Sequence, residues 1–304
     1  MSNSDLLKVF EEYSNLRQNI FKNFFTNSSI IFGNHKSGST MLFNFLQVYV
    51  CTYLGKHHTK EWRTYQQQIA KSEYLKFNLG YNTPLSLDCA LLTQHIFGDT
   101  DAITWDHVLN TVIKKISNEK SLIYFGFRGI GRNFLKYKTK LRDKNILVII
   151  RDPRDCAVSA YFSYFKSHVR DQNSGLSTLI DKYQTPEINQ FVKDDGIMIS
   201  IRELNLVTAF LQPNLTIYKY EDFWFNKKSF CLDILNRLEM PIDEQIFLSA
   251  FNQEVDPPTS SNIRTSGHLR RGNPGEYKEK LSEETINFIN KECAHLLEIY
   301  KYDA

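Results

Sequence analysis

Residues 30–46 read "IIFGNHKSGSTMLFNFL" and decide how the rest of the chain is interpreted. An apolar run stops at Gly33, a lysine arrives at Lys36, and Ser-Gly-Ser-Thr opens a second apolar pattern at helical spacing. A buried strand over Ser29–Phe32 followed by a helix over Thr40–Tyr53 leaves a tight turn between them. The backbone N–H groups of Ser37, Gly38, Ser39 and Thr40 then point into one concavity at a helix N-terminus, which favours an anion. Gly38 permits close approach, Ser39 and Thr40 add hydroxyls, and Lys36 adds a mobile charge. A P-loop NTPase places its lysine after the second glycine, in G-x-x-x-x-G-K-[ST]. Here the lysine comes first, so the anion need not be the phosphates of ATP. Taken alone, the same residues also fit an N-cap with a solvated lysine.

Working outward, "SLIYFGF" (121–127), "NILVII" (145–150) and "LTIYKY" (215–220) are further strand patterns. The second is a short continuous apolar run, as in parallel strands covered on both faces. Helical spacing appears over residues 5–24, 60–77, 103–117, 154–168, 198–211, 228–238 and 282–300. Strands alternating with helices predict an α/β fold, a central, mostly parallel sheet flanked by helices. No repeat, low-complexity block or linker divides the 304 residues, so one domain over 1–304 is expected, with an N-terminal helix inside 1–27. The polar, turn-rich stretch 252–276 holds three of the eight prolines together with Arg264, Arg270 and Arg271. A segment that long without periodicity is expected to be functional, closing over a ligand.

Composition narrows the function. A net charge of +3 is too mild to point to nucleic acid, and 42% hydrophobic with 23% charged residues is ordinary for a globular protein. Five scattered cysteines without C-x-x-C spacing predict neither a disulfide frame nor a metal site. The start "MSNSDLLKVFEEYS" lacks the pattern of a signal peptide and no apolar run is long enough to span a bilayer, so a cytoplasmic location without membrane contact is expected.

A second motif, "RDPRDCAVS" (151–159), follows the best strand. Arg151 stands at the carboxyl end of that strand, where α/β sheets bind ligands. Asp152 reads as an N-cap, Pro153 as the first helical residue and Asp155 as a capping-box reach-back. Ser159, two turns on, allows Arg151 and Ser159 to hold one phosphate from two sides. The alternative is a well-capped helix whose arginine pairs with a nearby aspartate. The third motif, "HLRRGNPGEYK" (268–278), is a cationic loop that also reads as a solvated turn.

In this order, the three motifs resemble those of the sulfotransferases that use 3′-phosphoadenosine 5′-phosphosulfate (PAPS), most nearly the cytosolic, small-molecule branch. "HKSGSTM" is similar to the family's P-K-S-G-T-T-W loop for the 5′-phosphosulfate, and "RDPRDCAVS" to its 3′-phosphate segment, with Arg151 and Ser159 at the family spacing. "YKYEDF" (218–223) resembles the segment whose tyrosine, here Tyr220, contacts the nucleotide. "LRRGNPGEYK" resembles the closing loop, which would give Arg270, Arg271 and Gly272 to the 3′-phosphate. The resemblance implies the P-loop-like sulfotransferase fold, PAPS as co-substrate with PAP as product, and no metal. Lys36, Ser37, Gly38, Ser39, Thr40, Met41, Arg151, Ser159, Tyr220, Arg270, Arg271 and Gly272 are the expected nucleotide site, and Lys36 is also expected to be catalytic.

The departures from the family pattern matter as well. Met41 replaces the tryptophan that stacks on adenine, Tyr277 replaces that of the closing loop, and the family's dimer signature does not follow Lys278, which leaves the oligomeric state open. The catalytic histidine of cytosolic members is absent from "YFGFRGIG", where Arg128 stands near its place. His57 and His58, in "GKHHTKEW" beyond the helix that follows the loop, are the expected base, with Glu61 beside them and His95 and His107 behind. The expected acceptor is a small hydroxyl or amine compound, with a glycan as the alternative. A nucleotide kinase or other phosphoryl transferase and a non-catalytic PAP- or PAPS-binding protein are the rival functions.

Overall fold

The computed structural model describes residues 29–71, 123–128, 135–136, 138–167, 187–256 and 272–303. The expected helices over 5–24 and 103–117, and residues 257–271 of the closing loop, lie outside that set. Four strands, β1 (Ser29–Gly33), β2 (Ile123–Arg128), β3 (Asn145–Ile150) and β4 (Leu215–Lys219), form one sheet in the order β2-β1-β3-β4. All three pairings are parallel. The expected α/β architecture is therefore observed.

The helices follow in chain order: α1 (Ser39–His57), α2 (Thr59–Lys71), α3 (Pro153–Phe162), α4 (Ile188–Phe191), α5 (Ile197–Phe210), α6 (Tyr220–Phe225), α7 (Lys227–Arg237), α8 (Glu244–Glu254), α9 (Tyr277–Lys280) and α10 (Glu283–Tyr300). The chain continues past α3 in a π-helical turn, Ser163–Ser167.

The central strands are apolar without alternation because both faces of the sheet are covered. Ile30, Phe32, Ile146, Val148 and Ile150 face a core shared with Val158 of α3, Leu204 and Val207 of α5 and Leu296 of α10. Ile31, Leu147 and Ile149 face the other core, with Phe45 and Tyr49 of α1, Ile234 of α7 and Phe247 of α8. Burying a side chain of this size stabilises by about 1.5–3 kcal/mol, so these two layers hold the strands in register.

All four strands run the same way, so their carboxyl ends share one edge. The chain leaves β1 for β2 on one side, while β3 lies on the other. That switch point, outside the carboxyl ends of β1 and β3, is where open α/β sheets bind ligands. No helix among the described residues is long and apolar enough to cross a membrane.

Candidate nucleotide-binding active site

At the switch point the chain makes a narrow turn between β1 and α1. The Asn34 N–H donates to Ile149 O at 3.0 Å, tying the turn to β3. Asn34 O in return accepts the Ser37 N–H at 3.1 Å and the Ser37 hydroxyl at 2.7 Å. Gly33 has no substitute here, since a Cβ would lie 2.0 Å from that of Ser39. Lys36 (φ 64°) and Gly38 (φ 75°) are both left-handed, a costly conformation for lysine that over-determined loops tolerate at functional sites. Gly38 is the N-cap of α1, and no side chain caps that helix. An N-terminus without a side-chain cap favours an anion, and the turn has the alternation of left-handed residues that forms an anion-binding concavity.

The other elements close on this turn from three directions. The ring of Tyr220, at the end of β4, presses on Gly38, where a Cβ would meet it at 2.4 Å. The guanidinium of Arg151, at the end of β3, lies 4.4 Å from the centre of the same ring. Arg151 Nη2 donates to Gly272 O at 3.1 Å and to Asn273 O at 3.3 Å, so the end of the closing loop at Gly272 rests against it. Arg151 is only 5% exposed, and its Nε has no hydrogen-bond partner among the described residues. A buried donor without a partner costs about 1–3 kcal/mol, so an anion oxygen would satisfy it. The residues present therefore fit a phosphorylated ligand.

Asp155 has a larger role than the sequence shows. Instead of reaching back to cap α3, its carboxylate accepts the N–H of Gly275 at 2.8 Å and of Tyr277 at 3.0 Å, and it lies 3.5 Å from Arg151 Nη2. It locks the closing loop onto α3. Burial pushes this carboxyl up, against the opposing pull of Arg151 and the two N–H donors. Burial alone would lower the Arg151 guanidinium, but Asp155, Cys156, Tyr220 and Glu221 around it raise it. Burial also takes the Tyr220 phenol up to about 12. Asp152 caps α3 as expected, accepting the Arg154 N–H at 2.9 Å. Arg154, 1% exposed, answers with Nη2 at 2.7 Å from Asp152 Oδ2 and lies 4.4 Å over the ring of Tyr277.

Lys36 Nζ donates to Ser163 Oγ in the π-helical turn. In the same loop, the His35 N–H donates to Glu203 Oε2 of α5 at 2.7 Å. Burial pushes the Glu203 carboxyl up to about 7, against the opposing effects of His35 and Arg202. Neither Ser163 nor Glu203 was marked by a sequence motif.

Lys36, Ser37, Gly38 and Ser39 thus share one edge with Arg151, Tyr220 and Gly272. Thr40 is exposed in the first turn of α1, and Met41 is partly buried against that helix's core. Ser159 is half-buried in the last turns of α3. Arg270 and Arg271 lie outside the described residues, as do His95 and His107. Arg128 ends β2 and is the register partner of Gly33, beside the loop.

His57 and His58 are not brought to the loop. Helix α1 runs for 19 residues, and at about 1.5 Å per residue His57 stands roughly 27 Å along the axis from Ser39. There His57 Nε2 is 2.9 Å from Asp243 Oδ2, which Lys56 Nζ also contacts at 2.8 Å. Hydrogen bonds from Lys56 and His57 hold the Asp243 carboxyl well below the usual carboxylate range. His58 starts the turn into α2, its N–H donating to Leu54 O at 2.9 Å. Glu61 is exposed in the first turn of α2, at this same distant end.

This loop, with the strand-end arginine beside it, places the protein in a family. Residues 26–301 match the sulfotransferase domain, and the chain belongs to the sulfotransferase family. Similar solved structures include a retinol dehydratase in complex with androsterone and the inactive cofactor PAP. It is 15% identical, with 94% of this chain and 85% of that one covered, at a TM-score of 0.46. A mouse sulfotransferase complexed with PAP is 9% identical over 97% and 96%, at 0.47. The sulfotransferase domain of the curacin biosynthetic pathway is 11% identical over 92% and 99%, at 0.39. No curated protein matches the chain by sequence.

Proposed function

We propose that the chain works as a single sulfotransferase domain that uses PAPS and sulfates a hydroxyl or amine of a small-molecule acceptor. The observation that carries the PAPS reading is the convergence of Gly38, Tyr220, Arg151 and Gly272 around one buried guanidinium. A nucleotide with phosphate groups at both 5′ and 3′ positions has an anion for each end of that edge. The Ser37–Thr40 donors would hold the 5′ group, and Arg151 with Ser159, Arg270, Arg271 and Gly272 would read the 3′-phosphate. Each charge-assisted bond there is worth about 1.5–3 kcal/mol, enough to separate such a nucleotide from ATP.

When bound, PAPS supplies the sulfuryl group. Lys36 projects from the loop towards Ser163, and its ammonium would stabilise negative charge developing at the 5′ end of the nucleotide. Tyr220 and Arg151 would hold the nucleotide, and Asp155 fixes the end of the closing loop at Gly275 and Tyr277 beside it. Among the described residues no group of three or more histidine, cysteine or carboxylate side chains is placed to hold a metal. The placement of His57 and His58 at the distant end of α1 favours one second reading, a protein that binds PAP or PAPS without turnover.

Single-turnover assays with PAPS and a panel of phenols, alcohols and amines decide between the two. In the Lys36→Ala variant, turnover should fall about a hundredfold or more while PAP binding changes only a few-fold. Near-normal turnover in that variant would remove Lys36 from the chemistry.

A further inference from the structure

Against the phosphate loop, at His35, lies a carboxylate that no motif accounts for. Glu203 is on the inward face of α5, between buried Ser200 and Val207, and reaches across 168 positions to the loop. Its Oε2 accepts the His35 N–H at 2.7 Å. His35 is followed directly by left-handed Lys36, and its ring stacks on Tyr164 with centroids 5.6 Å apart and planes 23° from parallel. Tyr164 itself follows Ser163, the partner of Lys36. One side of the loop is therefore braced by α5 and the π-helical turn together.

This position creates a conflict. The loop's remaining donors favour an anion, yet a carboxylate is attached to the same turn. Two like charges held that close in a partly dry setting oppose each other, and a proton on the carboxyl relieves the opposition. Of the charged or titratable groups around Glu203, Cys156 of α3 and Arg202 beside it act on it directly, while His35, Lys36 and Tyr164 stand in or against the loop that it holds. Burial already pushes this carboxyl up to about 7.

We propose that Glu203 is a positioning residue of the phosphate loop: it holds the His35 N–H, and it takes up a proton when a phosphorylated nucleotide binds the other face of that loop. The proposal rests on the nucleotide reading above. The loop keeps its shape in both protonation states, because the carbonyl oxygen of a neutral carboxyl still accepts an N–H. Only the charge is lost. Nucleotide affinity accordingly weakens with rising pH, by up to tenfold per pH unit above 7, where one proton is taken up per complex. The nucleotide's own phosphates do not produce this slope, since their second ionisation, near pH 6, is complete there.

The test is calorimetric titration of the full chain with PAP at pH 7.0, 7.5, 8.0 and 8.5, in buffers of differing ionisation enthalpy. The wild type should take up between half and one proton per PAP bound. Glu203→Gln keeps an oxygen for the His35 N–H without the charge, so it should take up almost none and bind PAP at least tenfold tighter than wild type at pH 8.5. Glu203→Leu loses the bond as well and should bind PAP more weakly than the Gln variant at every pH. His35→Phe keeps both the backbone N–H and the stacking on Tyr164, and should retain the uptake, which excludes the imidazole as its source. PAP binding with no proton uptake, or an uptake unchanged in Glu203→Gln, overturns the role given to Glu203 while leaving the nucleotide site intact. Absence of PAP binding to the wild type overturns the nucleotide reading, and this proposal falls with it.

Discussion

Replacing Asp155 by asparagine should destabilise the protein by about 3 kcal/mol and release the closing loop. The carboxylate is fully buried and serves three partners: the N–H of Gly275 at 2.8 Å, the N–H of Tyr277 at 3.0 Å and Arg151 Nη2 at 3.5 Å. Asparagine has the same shape but only one acceptor oxygen. Its amide nitrogen must then face a donor, leaving a buried N–H unsatisfied at a cost of about 1–3 kcal/mol. Removing one partner of a buried ion pair typically costs about 3–5 kcal/mol, because the remaining charge stays buried alone. Burial pushes this carboxyl up, so desolvation offsets part of the native gain and the lower end of that range applies. Urea unfolding followed by circular dichroism measures the change. Asp155→Ala, which removes the misplaced donor, should lose a similar amount. Limited proteolysis should cut near residues 272–280 faster in both variants, and PAP affinity should fall with it. A loss below about 1 kcal/mol in both variants, with unchanged cleavage, would refute the role given to Asp155.

Two further substitutions probe the two ends of α1. Gly38→Ala places a methyl 2.4 Å from the Tyr220 ring at a left-handed residue; the backbone strain alone costs about 1–2 kcal/mol, and PAP affinity should drop at least tenfold by calorimetry. His57→Ala should leave turnover within twofold of wild type, with stability changed by no more than about 1 kcal/mol, because the pair with Asp243 is exposed.

Much of the fold is legible because the strands are continuous apolar runs. "NILVII" is strand β3 residue for residue, and β1 and β4 differ from expectation by a single terminal residue. Helix α8 is not among the expected helices. Its buried positions, Ile246, Phe247, Ala250 and Phe251, run directly into the polar stretch that masks its end at Glu254. Helix α1 extends beyond Tyr53 because Gly55 does not end it; the indole of Trp62 packs 3.6 Å from where a Gly55 Cβ would lie. The full length of this helix, of which that turn is only the last part, is what keeps His57 away from the loop.

At the site, local chemistry is readable and distant chemistry is not. The donors of the Ser37–Thr40 turn follow from a strand, a glycine and a helix start, and Arg151 follows from its place after β3. The contacts of Asp155 with residues 120 and 122 positions away, and of Glu203 with the loop, carry no local signature. Asp155 even satisfies a capping-box pattern, so its sequence neighbours point to the wrong partner. Lys36 and Ser163, 127 positions apart, meet where α3 ends and the π-helical turn begins, a contact with no local signature either.

The most direct measurement is a pair of calorimetric titrations of the full chain, one with PAP and one with ADP, without magnesium. The two nucleotides share the adenosine and a 5′-phosphate, but only PAP carries a 3′-phosphate for Arg151, Ser159 and the closing loop to read. Micromolar PAP binding, with ADP weaker by at least tenfold, is the expected result. Equal affinity for the two, or no binding of PAP, would contradict the 3′-phosphate site and with it the assignment of PAPS as the co-substrate.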